Sequence, residues 1–186
     1  MDVMEAIRKR KSVRAYKNTP VDDNTLSAVL EAARLAPSWG NTQTWRFIVV
    51  KDEGIRDKLI ETSLRAGNRG FEACRQAPIT LVACAETNRA GCRDGQGVTD
   101  KEGYWFMFDV ALAMQNLVLA AASLGLGTVY VGAFDARKAG EILGVPEGFR
   151  VVAVTPLGYP DEQPETRPRK ELSEIIFYDR FGSNSK

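Results

Sequence analysis

Residues 104–128 read YWFMFDVALAMQNLVLAAASLGLGT. From Tyr104 to Leu124 no other part of the chain is as apolar, and the run is long enough to span a bilayer. Asp109, Gln115, Asn116 and Ser123 interrupt it, and such groups are expensive in lipid. A helix apolar on most sides yet carrying a few polar groups belongs in a protein core or a subunit interface. Gly125, a natural left-handed position, ends it. The chain is therefore read outward from one buried helix.

Toward the C-terminus, Gly127 to Ala133 (GTVYVGA) reads as a strand, Asp135 caps a short helix through Leu143, and Phe149 to Leu157 (FRVVAVTPL) is the last core strand. Gly158 to Arg169 follows as a Pro- and charge-rich arm in which Pro164 and Pro168 bar helix. Beyond it lie Leu172, Ile175, Ile176, Phe177 and Tyr178. An arm ending in exposed apolar residues predicts docking on a neighbouring subunit.

Toward the N-terminus, Glu86 to Gly103 has no apolar period and reads as a lid or surface excursion. Pro78 to Ala85 (PITLVACA) is a buried strand, Ile55, Leu59 and Ile60 mark a helix, and Trp45 to Val50 (WRFIVV) is another strand. Asp22 or Asp23 caps a helix carrying Leu26, Val29, Leu30 and Ala33, which Pro37 stops. A first helix opens at a capping box, Asp2-Val3-Met4-Glu5, and runs to about Arg10. The count is about four strands and five helices in one domain spanning residues 1–186, with no repeat and no linker. Strands separated by helices predict a parallel, doubly wound sheet. No GxGxxG or P-loop Lys stands between a strand and a helix, so nucleotide-binding versions of that fold lack support.

Composition narrows the chemistry. The 186 residues carry 25 Lys and Arg against 24 Asp and Glu, a net charge of +1, and 44% are hydrophobic, which describes a soluble globular chain. Zero histidines exclude Ser-His-Asp and Cys-His hydrolysis and histidine-ligated zinc or haem. Cys74, Cys84 and Cys92 form neither a CxxC pair nor an even disulfide set and read as reduced thiols. Met1 to Lys17 is charged where a signal peptide would be apolar. Together these predict a cytoplasmic protein with no membrane partner and no bound metal.

Three segments could carry function. Arg10-Lys11-Ser12-Val13-Arg14 offers guanidinium, ammonium and hydroxyl donors of the kind a phosphate monoester takes, or else is a solvated helix end. Arg167-Pro168-Arg169 holds two more cations in a stiff frame. Local clusters in a neutral chain suit a small anion, whereas nucleic-acid binding shows as a basic excess over a whole face. Ala36 to Trp45 (APSWGNTQTW) sets Pro37, Ser38, Trp39, Asn41 and Gln43 between a helix and a strand. Its amides could read the polar edge of a heterocycle, or the segment is a well-capped surface loop. Asp109, Gln115 and Asn116 read as buried polar groups tying the long helix to its surroundings. Gly125, Gly127 and Gly132 bracket a strand and would let backbone N–H groups approach a flat ligand.

In order and spacing, RKSVRAY at 10–16, the APSWGNTQTWRF loop, the DVALAMQNLVLAAASLGLGT helix and PLGYP followed by RPRKEL resemble the nitroreductase family of FMN-dependent oxidoreductases. The resemblance covers about Met4 to Tyr178. It implies a homodimeric α+β fold with a mainly antiparallel central sheet, against the parallel sheet that periodicity predicts, and two FMN molecules at the subunit interface. By resemblance, Arg10, Ser12 and Lys11 hold the FMN phosphate with Arg167 and Arg169, and Arg14 lies near flavin N1 and the C2 carbonyl. Pro37, Ser38 and Trp39 cover the dimethylbenzene end from the partner, with Asn41 and Gln43 in the same loop. Val131 and Gly132 present backbone to N5 and the C4 carbonyl. A further polar contact falls on Asn68 or Arg69. The chain departs from the family at Thr44, where proline is common, and at Val131, where some members are acidic.

No protein nucleophile is then needed, because the flavin carries the chemistry and Arg14 tunes it. The implied function is hydride transfer from NADH or NADPH through flavin N5 to a small oxidised acceptor, a nitroaromatic, quinone, enone or flavin, by a ping-pong mechanism. The alternatives are a flavin-binding or flavin-storage protein without NAD(P)H turnover, and a nucleic-acid-binding module using the Arg8 to Lys17 cluster, which the balanced charge disfavours.

Overall fold

The computed structural model describes residues 1–63, 67, 69–101 and 103–183. Asp2 caps α1 (Val3–Lys9), its carboxylate accepting from the Glu5 N–H at 2.8 Å, while the Glu5 carboxylate pairs with Lys9 at 2.6 Å instead of closing the expected capping box. Asp22 caps α2 (Asp23–Arg34) in the same way. There follow β1 (Trp45–Val50), α3 (Glu53–Ser63), α4 (Arg69–Gln76) and β2 (Ile79–Glu86), then a short hairpin of β3 (Cys92–Arg93) and β4 (Gln96–Gly97). The long helix α5 (Trp105–Ser123) leads to β5 (Gly127–Thr128), α6 (Ala136–Leu143), β6 (Phe149–Gly158) and α7 (Leu172–Ile175).

The main sheet has the order β1-β2-β6-β5, and every pairing in it is antiparallel. The parallel sheet predicted from alternating strands and helices is thus overturned, and the antiparallel sheet implied by the family resemblance holds. The reason lies between β1 and β2. One crossover helix returns the chain to the end where the previous strand began, which makes the strands parallel. Here α3 and α4 stand in series, so the chain goes out and comes back, and β2 starts where β1 stopped.

Both faces of the sheet are covered. Alternate residues of β2, Ile79, Leu81, Ala83 and Ala85, enter a core shared with α2 and α5, whereas Val82 and Cys84 face a second core with α3, α4 and α6. Strands β2 and β6 are the inner pair, which is why β2 reads as continuously apolar. Among the described helices only α5 is long and apolar enough to cross a membrane. It is instead the central helix of the first core, burying Phe106, Val110, Ala113, Met114, Leu117, Val118 and Ala121. Asn116 donates from α5 to the Ala32 carbonyl of α2 at 3.2 Å, the tying role expected of it.

Two expected elements differ. The strand predicted over Gly127–Ala133 is regular only at Gly127 and Thr128. There the Thr128 carbonyl accepts from Val13 of the N-terminal segment at 3.0 Å, and the ladder with β6 resumes as a single bridge at Val131 and Val154. Within the expected excursion, Asp94 and Gly95, with φ of 51° and 76°, turn the β3–β4 hairpin. Asp-Gly is a two-residue turn sequence that supplies both positive φ values.

Candidate functional site

Residues 11–17 run between the edge strand β5 and the arm that leaves β6. On one side Ser12 bridges Thr128; on the other Tyr16 bridges Pro160, Lys17 donates its N–H to the Tyr159 carbonyl at 2.9 Å and the Asp161 N–H donates to Ala15 at 2.9 Å. Side chains add to this seam. Lys11 Nζ donates to the Pro164 carbonyl at 2.8 Å, and the Arg14 N–H donates to Glu162 Oε1 at 2.5 Å. Tyr16 is buried with its hydroxyl donating to the Val13 carbonyl at 2.7 Å, and burial pushes its ionisation well above the ordinary tyrosine range. The predicted cationic segment and the arm are therefore side by side.

Val13 is buried against Gly127. Arg10, Lys11 and Val13 line a groove of about 890 Å³ with Tyr159, Glu162, Pro164 and Thr166, whereas Ser12 and Arg14 stand outside its lining. Arg167 and Arg169 continue from that point along the exposed arm, where Arg169 donates to the Arg167 carbonyl at 3.3 Å. The Arg14 guanidinium folds back on the Ser12 carbonyl at 3.2 Å. Arg10 is also an electrostatic neighbour of Tyr130. That residue keeps 44% of its surface exposed, yet crowding of its phenol pushes the pKa up to about 12, and the Arg10 cation acts in the opposite sense.

This donor set fits a phosphate monoester joined to a flat ring. Among the described residues Arg10, Lys11, Arg14, Arg167 and Arg169 form no ion pair, and the Ser12 hydroxyl has no protein partner. Gly132 is exposed, with open space where a Cβ would stand. One expectation needs correction. Val131 is buried, and both its N–H and its carbonyl pair with Val154, at 2.8 and 3.2 Å. It cannot offer a ring the backbone N–H expected of it, and of the two residues only Gly132 can.

The second predicted segment is a tight loop after α2. Residues Trp39–Asn41 form a single 3-10 turn, and Gly40, Asn41 and Gln43 have φ of 51°, 55° and 48°. The Ser38 Oγ accepts from the Gln43 N–H at 2.9 Å, and the Gln43 side-chain amide donates to Asn41 Oδ1 at 3.2 Å. Pro37 is exposed, and Trp39 packs part of its ring against the α2–α5 core. The Trp39 N–H donates to Asp109 Oδ1 on α5 at 3.0 Å. Asp109 is 0% exposed, and burial raises its carboxyl above the ordinary aspartate value while the Trp39 N–H and Thr42 hydroxyl act in the opposite sense.

No hydrogen bond among the described residues links this loop to residues 10–14 or to Gly132. Arg69 opens α4, exposed, whereas Asn68 lies outside the described residues. Sequence reasoning missed Glu162, whose carboxylate holds the Arg14 backbone; its one signal is an acidic residue lodged in the proline-flanked arm. Cys74 and Cys84 are buried, with thiols pushed up to about 12 and about 11 by desolvation, which leaves them unreactive.

Comparison with known proteins finds relatives over nearly the whole chain. A model of the nitroreductase family matches residues 7–159. A nitroreductase family protein from Clostridium novyi NT superposes with a TM-score of 0.77 at 33% identity, covering 98% of this chain and 96% of that one. The NADPH:FMN oxidoreductase of Vibrio harveyi, solved in complex with NAD+, gives a TM-score of 0.82 at 28% identity over 96% of this chain and 77% of its own. The 5,6-dimethylbenzimidazole synthase of Rhodospirillum rubrum is 31% identical over 92% of this chain and 86% of its own length.

Proposed function

The chain belongs to the nitroreductase family, and from that premise we propose that it is an FMN-dependent enzyme that takes hydride from NADH or NADPH and delivers it to a small oxidised acceptor. Three of its relatives are named NADPH-flavin oxidoreductase, oxygen-insensitive NADPH nitroreductase and FMN reductase, which supports this reading. The observation that carries the FMN reading is that Arg10 and Lys11 line one groove, with Glu162, beside the arm that leads on to Arg167 and Arg169, and that none of these four cations forms an ion pair among the described residues.

When bound, FMN supplies hydride acceptance and donation in two half-reactions, so the two substrates use one site in turn. The chain's own residues bind and tune. Arg10, Ser12, Lys11, Arg167 and Arg169 grip the phosphate with charge-assisted hydrogen bonds. Arg14, its backbone fixed by Glu162, places a cation beside the N1 and C2 carbonyl edge and favours the more negative, reduced ring. The Gly132 N–H would serve the N5 edge, and Pro37, Ser38 and Trp39 would cover the dimethylbenzene end from a second protomer, with Asn41 and Gln43 in the same loop. The open acceptor face admits nitroaromatics, quinones, enones or flavins.

That second protomer follows from surface chemistry. Met1, just before α1, and Val3, Met4 and Ile7 on it are exposed, and on the terminal arm Leu172 and Phe181 are 68% and 94% exposed. Apolar area of this extent belongs in an interface. The protein acts as a homodimer of single FMN-binding domains in the cytoplasm, with the arm docked on its partner. The test is the absorption spectrum of the purified protein, identification of what it releases on denaturation, and anaerobic bleaching by NADH or NADPH. The expected results are released FMN and rapid bleaching. Release of FAD, or no flavin after reconstitution, overturns the reading, and bound FMN that neither nucleotide bleaches favours a storage protein.

A further inference from the structure

We infer that Asp109 is a positioning residue for the 37–43 loop, fixing from inside α5 the conformation in which that loop meets the flavin; the inference rests on the flavin reading proposed above. Asp109 is the only fully buried acidic side chain among the described residues. Its Oδ1 accepts from the Trp39 N–H at 3.0 Å, and its Oδ2 is buried without a partner. A carboxylate held out of water with only neutral partners, the Trp39 N–H and the nearby Thr42 hydroxyl, is a net cost to the fold, and a well-packed apolar residue would serve α5 better. The burial also raises its pKa, as a poorly compensated carboxylate requires.

The contact offsets strain in the loop. Gly40, Asn41 and Gln43 all occupy the left-handed region, and for Asn41 and Gln43 that conformation persists only where surrounding contacts impose it. One other bond reaches the loop from a regular element, the Arg46 guanidinium of β1 donating to the Gln43 carbonyl at 3.0 Å, and it holds only the loop's last residue. Asn41 N–H to Ser38 O, Thr42 N–H to Trp39 O, Thr42 Oγ to Trp39 O and Gln43 N–H to Ser38 Oγ all close within the loop. Among the described residues, Asp109 makes the one hydrogen bond that ties positions 38–42 to another element. Because Trp39 accepts both bonds from Thr42, holding its N–H holds the turn as a unit.

If the loop must be in this conformation to cover the ring, the apparent FMN affinity scales with the fraction of molecules whose loop is in place. Asp109→Leu removes the acceptor and leaves the Trp39 N–H orphaned. FMN titration by fluorescence quenching should give a Kd raised about tenfold or more. Asp109→Asn keeps a carbonyl oxygen at the same place and should stay within about threefold of the unaltered chain. In parallel, urea unfolding of Asp109→Leu should show no comparable loss of stability. A Kd equal in all three chains, with only the unfolding midpoint moved, overturns the inference and makes Asp109 merely structural. Amide hydrogen exchange on the unaltered apoprotein tests the anchor without any variant: the Trp39 amide should be as protected as the α5 backbone around Asp109, and exchange at the rate of an unbonded loop amide overturns it. Failure of the unaltered chain to bind FMN overturns the flavin reading instead, and the exchange result still decides whether the anchor exists.

Discussion

Arg10 and Arg14 lie four residues apart in one segment, and their surroundings differ enough to separate their phenotypes. Arg10 lines the groove beside the arm, whereas the Arg14 backbone is held by Glu162 and its guanidinium rests on the Ser12 carbonyl. A phosphate contact binds oxidised and reduced flavin alike, so Arg10→Ala should mainly raise the FMN Kd. Charged hydrogen bonds are worth about 1.5–3 kcal/mol, a loss of roughly ten- to a hundred-fold. A cation at the N1 edge favours the reduced ring, so Arg14→Ala should lower the flavin reduction potential and slow bleaching by NAD(P)H. Potentiometry and flavin titration on both variants check this; an unchanged potential in Arg14→Ala with a shifted one in Arg10→Ala reverses the assignment. Asp109 makes a prediction about pH. Its folded pKa is raised above the ordinary value of 3.8, so as pH climbs through that range the unfolded chain gives up its proton first. The native state then binds more protons than the unfolded one, and stability falls as pH rises. Asp109→Asn lacks this titration. Its stability relative to the unaltered chain should therefore be more favourable near pH 7 than near pH 3, as urea unfolding at the two values would show.

The seam between residues 11–17 and the sheet edge depends on close backbone approach. A Cβ on Gly127 would come within 2.8 Å of Val13 Cβ and Cγ1, and one on Gly158 within 2.7 Å of Pro78 Cδ and 3.2 Å of Tyr16 Cδ1. Gly127→Ala must push the cationic segment off β5. It should cost about 1–3 kcal/mol of stability and weaken FMN retention with it, measured by thermal unfolding and flavin titration on one sample. Much at this scale was legible in the chain itself. The caps at Asp2, Asp22 and Asp135 start helices where expected, and α5 and β2 announce themselves as uninterrupted apolar runs. Strand direction was not legible. It turns on α4, whose Arg69–Gln76 sequence is short and polar on one face, and overlooking it turns a there-and-back path into a single crossover. The hairpin at Asp94-Gly95 carried its own turn signal. The bridge that occupies Val131 depends on β6, some twenty residues later, and no local pattern reveals it. Of the candidate site, the donor types and the loop could be read from residue chemistry, but Glu162 could not, because its partner lies 148 residues away.

For the whole molecule, the proposed homodimer makes a prediction, since the exposed apolar residues of α1 and the terminal arm would be buried in it. Interfaces of that class commonly bury more than about 2,000 Å². Light scattering should give twice the 20.5 kDa of one chain, and a monomer mass at working concentration would contradict it. Truncation before Glu171 removes Leu172, Ile175, Ile176 and Phe181 and should weaken dimerisation and flavin retention together, read by sedimentation and by flavin content after gel filtration. The pairing of residues 11–17 with 159–164 also sets an order of events during synthesis. Arg14 leaves the ribosome well before Glu162, and at ordinary elongation rates the wait is on the order of ten seconds. Until then the cationic segment lacks the arm that holds it, so this edge of the sheet is completed only once residues 159–164 have emerged.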